Sequence, residues 1–261
     1  MVAYIIMAII AYLIGSINFS IIISKKMAGF DVREKGSGNA GSTNVLRTVG
    51  VKAAVLTLIC DILKGVVPIL LGLLVGLIAG ENANSAIIVE IAALAVVIGH
   101  TFPVFFGFKG GKGVATSLGV ILVINWKIGL ICLIFALTLM AITRMVSLGS
   151  ISAAVLFAIL TLFIRDSYVG GVEFDFSFII FGVLLASLVI FNHRTNLKRI
   201  IAGTENRLSF KKKEEKVEVK DEKNSEENKA ENQENNSEEK TVELKNEENN
   251  KTEENKEGEN C

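Results

Sequence analysis

Three short segments of the chain hold most of the side chains that could do chemistry. The first, KGSGNAGSTNVLRTVG (residues 35–50), packs four glycines, two asparagines, Ser37, Ser42 and Thr43 around a single arginine. Glycine turns let successive backbone N–H groups point at one anion, which makes Gly38, Asn39 and Asn44 candidate phosphate contacts. TNVLR then starts a helix with Thr43 or Asn44 as its cap. A helix N-terminus beside the forked guanidinium of Arg47 suits a phosphate. The same residues would also serve as a polar turn with Arg47 against lipid headgroups.

The second segment is GHTFPVFFGFKGGKGVA (residues 99–115). Pro103 ends or bends the preceding helix. Gly110, Gly111 and Gly113 then permit close backbone approach, and Lys109 and Lys112 add compact point charges. A nucleotide-binding P-loop requires Ser or Thr after its lysine, whereas Gly113 follows Lys112. Nucleotide triphosphate hydrolysis is therefore disfavoured. A flexible, positively charged membrane anchor is the plainer reading of the same stretch.

The third segment, FNHRTNLKRIIAGTENR (residues 191–207), places His193 three residues before Asn196. On a helix the two share a face, setting a proton acceptor or positioning group beside an amide donor. Arg194, Lys198 and Arg199 suit anionic lipid, and Glu205 suits a structural role, capping or pairing with an arginine. TRMVSLGS (residues 143–150) adds Arg144, Ser147 and Ser150, expected on one face. Within an apolar run, CDILKG places Asp61 and Lys64 at i, i+3. Ionisable groups inside membranes are costly and usually pair, so these two read as a structural ion pair. Glu90, alone in another apolar run, has no assigned role.

The elements that must position these groups are helices in a membrane. The chain is 51% hydrophobic, with apolar runs at residues 3–24, 53–79, 85–106, 113–125, 127–143, 149–164 and 176–192. A span needs about 20 apolar residues, and backbone groups in hydrocarbon must be satisfied internally. The fold class expected is all-α, a polytopic bundle of seven transmembrane helices. The run at 113–125 is short enough to be tilted or re-entrant. Lys and Arg concentrate in the odd-numbered connections, while the even ones offer little beyond Glu81, Lys127 and the Arg165–Asp175 stretch. The positive-inside rule then puts the odd connections and the C-terminus in the cytoplasm, with the N-terminus outside. All three chemical segments fall on that one side.

Charge divides the chain in two. Residues 1–210 carry 16 Lys/Arg against 9 Asp/Glu, and residues 211–261 carry 11 against 18, so the net charge of zero hides a basic body and an acidic tail. The body, 1–210, reads as the membrane domain. The tail, 211–261, has too few apolar residues to offset chain entropy and is expected to be disordered. Cys60, Cys132 and Cys261 have no disulfide or metal spacing, and His100 and His193 are the only histidines. Neither a metal nor a cofactor is expected.

Taken in order, GSGNAGSTNVLRTVG, GHTFPVFFGFKGGKGVAT and HRTNLKRIIAGTEN resemble the three signature loops of the bacterial acyl-phosphate:glycerol-3-phosphate acyltransferases. CDILKG and TRMVSLGS resemble lesser patterns of that family. The resemblance covers residues 4–207, and the long acidic tail departs from it. It implies an integral membrane enzyme of phospholipid synthesis. Such an enzyme moves an acyl chain from acyl phosphate to the sn-1 hydroxyl of glycerol 3-phosphate, giving lysophosphatidic acid and phosphate. By the same resemblance Ser37, His193 and Asn196 are catalytic. Arg47, the glycine–lysine loop, Arg144 and Ser147 meet substrate phosphate. The implied partners are acyl phosphate, glycerol 3-phosphate and the lipid bilayer of the bacterial plasma membrane, with a functional link to the enzyme that makes acyl phosphate. No nucleic acid is expected. Two other readings of the same residues are a transporter for a phosphorylated metabolite and a membrane scaffold whose tail recruits a partner. Neither accounts for phosphate-binding loops crowded onto one face.

Overall fold

The computed structural model describes residues 1–80, 83–164 and 176–208. Glu81, the Arg165–Asp175 connection and the charged tail lie outside the described residues. Among those described, every regular element is helical. In chain order they are α1 (Val2–Ser16), α2 (Phe19–Ala28), α3 (Ser42–Thr48), α4 (Val51–Ala79) and α5 (Ser85–Thr101). Then follow α6 (Val114–Ile124), α7 (Trp126–Thr143), α8 (Val146–Phe163), α9 (Phe176–Asn192) and α10 (Arg194–Ile201). Single 3-10 turns occur at Val32–Glu34 and Val104–Phe106.

Each of the seven apolar runs contains a helix. Five apolar helical stretches are long enough to cross a membrane, and six if α9 and α10, bent by 63° at His193, count as one. Helix α6, with 11 residues, reaches only about 16 Å against a hydrocarbon core of about 30 Å. Its brevity was visible in the sequence. The first run is broken where the sequence showed none. Asn18 caps α2, its side chain accepting from Ile21 N and from the Ser20 hydroxyl. The break frees the carbonyl of Ile17, which accepts from Lys64 Nζ at 2.9 Å.

Small residues let the helices approach. A side chain on Gly15 or Gly99 would strike the backbone of the facing helix where α1 crosses α5, and Gly65 and Gly119 do the same where α4 crosses α6. Such contacts are how helices associate where lipid removes the hydrophobic drive. At the α8–α9 contact Phe157 meets Phe178 and Phe181 edge-on, at 6.4 and 6.1 Å between ring centres. Large apolar side chains also point outward, Leu77 and Phe163 among them, as lipid-facing positions should.

The connections sort to two ends. Near the start of α1, the Tyr4 hydroxyl accepts from Asn84 N just ahead of α5. At the other end of α5, residues 31–48, 102–113, 144–147 and 193–208 come together through the contacts described next.

Candidate active site

The glycine–lysine segment is shaped by the end of α5. Helix C-termini leave carbonyls without intrahelical partners, and the chain folds back to fill two of them. Gly110 N donates to Thr101 O at 3.0 Å and Gly111 N to His100 O at 3.1 Å. Gly111 lies so close to the His100 imidazole and to Ala40 O that a Cβ there would meet both. Asn192 then donates to the Thr101 hydroxyl and to Lys112 O. Gly113, at φ +84°, caps α6 in a conformation that favours glycine. Gly113 has no side chain to cap α6, so among the described residues the helix's first-turn N–H groups remain open beside Lys112.

The first segment is knitted from within. Asn44, 2% exposed, accepts from Ser37 N at 2.9 Å and donates to Val32 O and Lys35 O. Its amide is thus committed to the shape of the loop. Helix α3 begins two or three residues earlier than the sequence suggested. Gly41, and neither Thr43 nor Asn44, occupies the cap position, with no side-chain cap bond. Gly38 adopts φ +71°, Asn39 is half-buried, and Ser37 and Arg47 are exposed.

The third segment bends at His193, whose backbone caps α10. His193 is 2% exposed and Asn196 4%, so both face the protein interior. His193 Nδ1 lies 2.8 Å from Val189 O. A carbonyl can only accept, so this contact assigns the proton to Nδ1 and leaves Nε2 as an acceptor. Asn196 Oδ1 accepts from Lys112 Nζ, and its Nδ2 donates to Glu205 at 2.8 Å. Glu205 also accepts from the Ser147 hydroxyl and from Arg199 Nε, each at 2.9 Å. Among the described residues, one N–H of Asn196 and two of Lys112 stay available.

Electrostatics follow from that packing. Burial pushes the Lys112 ammonium down to about 8, and Arg199 and Arg47 push the same way against the pull of Glu205. Arg47, on the first segment, is therefore within electrostatic reach of Lys112 on the second. His193 lies just beyond α9, where burial and then Lys112 push its imidazole down to about 4, against the Val189 bond. It is neutral near pH 7. Burial works to raise the Glu205 carboxyl, but bonds from Arg199, Asn196 and Ser147 outweigh it and hold the pKa below the ordinary value. Cations thus outnumber the one carboxylate, which is the field of an anion site.

Beneath this surface lies a second polar cluster. Asp61 and Lys64 pair at 2.8 Å, both buried, and His100 Nδ1 lies 3.6 Å from Asp61 Oδ1. Glu90 accepts from the Ser177 hydroxyl at 2.9 Å.

Comparison with known proteins places the chain in a family. The sequence model of the family described as glycerol-3-phosphate acyltransferase matches residues 5–203. The chain belongs to that family. A glycerol-3-phosphate acyltransferase of Thermoanaerobacter sp. (strain X514) is 46% identical over 205 residues, covering 78% of this chain and 95% of the relative. One from Clostridioides difficile (strain 630) is 42% identical over 210 residues, covering 80% and 98%. Among solved structures, the glycerol 3-phosphate form of PlsY, an integral membrane glycerol 3-phosphate acyltransferase, superposes with a TM-score of 0.68 at 36% identity, covering 79% of this chain and 96% of PlsY. Its lysophosphatidic acid form gives 0.65 at 35% identity, covering 79% and 95%. The chain is an integral membrane acyltransferase of lipid biosynthesis.

Within this family member, Lys112, His193, Asn196, Ser147 and Glu205 are brought together, with Arg47 near them. Gly110, Gly111 and Gly113 shape the loop that presents Lys112. Lys109 is exposed and joins through its carbonyl. Arg144 stands apart from the serines: at φ +59° it caps α7 outside α8, exposed. Its carbonyl accepts from Leu208 N at 2.7 Å. Ser147 and Ser150, three residues apart on α8 and both buried, share a face, with Ser150 bonding to Val146 O of its own helix, but Arg144 does not join it. Sequence reading gave no role to Asp31, Arg33, His100, Thr101 or Asn192. Asp31 followed two residues later by Arg33 was the one local signal among them, since an Asp at a helix start commonly bonds the next N–H groups.

Proposed function

We propose that the protein transfers an acyl group from acyl phosphate to the sn-1 hydroxyl of glycerol 3-phosphate, yielding lysophosphatidic acid and inorganic phosphate. The reaction takes place at the cytoplasmic face of a bacterial plasma membrane. The body crosses that membrane seven times, the bilayer thinning around the short α6, with the N-terminus outside. The observation that carries this reading is the meeting of Lys112, Arg47 and Arg199 around neutral His193 and Asn196. Both substrates bring a phosphate to that field, and the acyl chain has apolar helices beside it. PlsY, a family member solved in glycerol 3-phosphate and lysophosphatidic acid forms, supports the same substrate and product.

In this reading Ser37 is catalytic with His193 and Asn196, while Arg47, Lys112 and the glycine loop hold phosphate, with Gly38, Asn39, Lys109, Arg144 and Ser147 around them. The hydroxyl oxygen bonds to the acyl carbon, the bond from that carbon to the phosphate oxygen breaks, and phosphate leaves with the electron pair. The hydroxyl proton passes to a phosphate oxygen. His193, at about 4, is a weak base at neutral pH, and its Nε2 orients the hydroxyl. The free N–H of Asn196 faces the oxyanion. The leaving group is already good, so orientation and charge stabilisation supply most of the rate.

The test is purified protein in detergent with palmitoyl phosphate and glycerol 3-phosphate, the product identified by mass spectrometry and its acyl position by NMR. A 1-acyl product supports the reading. A 2-acyl product, or none, refutes it.

A further inference from the structure

The three sequence segments were read as separate loops, yet two of them are fastened by a group outside their motifs. Arg33 sits at the 3-10 turn leading into the first segment. Asp31, 7% exposed, grips it from one side: Nε donates to Oδ1 at 3.0 Å, Nη2 to Oδ2 at 2.9 Å, and the Arg33 backbone N–H to Oδ1 at 3.1 Å. Lys25 adds a further contact to the same carboxylate at 3.4 Å. The fork leaves Nη1 free, and it crosses to the second segment. There it donates to Phe106 O at 2.8 Å and to Lys109 O at 3.0 Å. These carbonyls bracket the turn through Gly107 and Phe108, and Phe108 is held at φ +58°, which costs a non-glycine residue energy.

We infer that Arg33, aimed by Asp31, is a positioning residue. It sets the distance between the Ser37–Arg47 loop and the Lys109–Gly113 loop, and so the gap that accepts the substrate phosphate. It touches no substrate in this account, and the inference rests on the function proposed above. A planar guanidinium can make this clamp because it presents donors on two edges at once. The carboxylate needs both parts of its grip, since the Arg33–Asp31 bonds, foremost among its neighbours, hold the Asp31 carboxyl down at about 2. A Cβ added at Gly111 would come within 2.5 Å of Ala40 O, which marks a second place where the two loops abut. That abutment and the packing of Phe106 on the cluster that includes Val32, Ala40 and Val45 allow close approach without directional bonds, so among the described residues the clamp supplies the hydrogen bonds between the two loops.

The experiment compares wild type, Arg33→Ala, Asp31→Asn, Arg33→Lys and the Arg33→Ala/Asp31→Asn double variant, with phosphate release measured against each substrate in turn. In each single variant lacking the fork or its grip, the KM for glycerol 3-phosphate is expected to rise about tenfold or more, the scale of lost charge-assisted bonds, with the KM for acyl phosphate within about twofold. Arg33→Lys, which keeps charge without the fork, is expected to fall between. The double variant is expected to be no worse than Arg33→Ala, because the two residues act as one device. Folded variants with unchanged KM for glycerol 3-phosphate overturn the inference, as do additive losses in the double variant. Failure of all the variants to fold assigns the pair to stability alone and also overturns it. An inactive wild type would instead refute the proposed function.

Discussion

The ammonium of Lys112 donates to the amide oxygen of Asn196, joining the glycine loop to the third segment across 84 residues of chain. Through Nδ2 the same amide reaches Glu205. Asn196 therefore has two duties, holding Lys112 in place and presenting its remaining N–H. Asn196→Ala is expected to lower turnover by about 10²–10³-fold, the cost of one oxyanion donor, at saturation with both substrates. An unchanged kcat would leave Asn196 a structural link.

Lys112 gives a pH dependence with a definite sign. Its pKa is lowered to about 8, so the charged form fades as pH rises through that value. The kcat/KM for glycerol 3-phosphate, which reports the free enzyme, is expected to fall on the alkaline side near pH 8. Lys112→Arg should carry that limb well above pH 9, since guanidinium does not titrate there. A limb left in place by the substitution assigns it to another group.

His193 separates proton transfer from orientation. If its Nε2 only orients the hydroxyl, His193→Asn keeps much of the rate and the wild-type pH profile, whereas His193→Ala loses both bond and shape. General-base catalysis would instead cost about 10²–10⁴-fold in either variant, with loss of the acidic limb. Rates measured from pH 5 to 9 decide between the two.

Much of this was legible in the sequence for a physical reason. Apolar runs have to be helices in lipid, so a helix could be placed in each of the seven runs, five or six of which give stretches long enough to span. The Asp61–Lys64 pair followed from i, i+3 spacing and the cost of lone charge in a membrane. What stayed hidden depends on contacts between distant residues. Nothing local shows that Arg33 reaches Phe106 and Lys109, that His100 packs on Gly111, or that Lys64 fills the carbonyl freed at Ile17. Arg144 misled because helical spacing was applied across a position where α7 has ended and α8 has not begun.

Arg47 is exposed yet close enough to act on Lys112. Arg47→Ala is expected to raise the KM for glycerol 3-phosphate about 10- to 100-fold, from about 1.5–3 kcal/mol for a charge-assisted bond. Unchanged kinetics in a folded variant would return Arg47 to lipid anchoring.

Removal of everything after Phe210 is expected to leave turnover intact, because the three segments end before it and the tail is rich in charge. A truncated protein that folds and cannot turn over would give the tail a catalytic or regulatory part.

The central claim is the donor. Phosphate release from palmitoyl phosphate should depend on glycerol 3-phosphate and match lysophosphatidic acid formed, one for one. Palmitoyl-CoA with glycerol 3-phosphate in the same detergent should give no product above background. Comparable turnover with the CoA thioester, or phosphate release indifferent to glycerol 3-phosphate, would contradict the account.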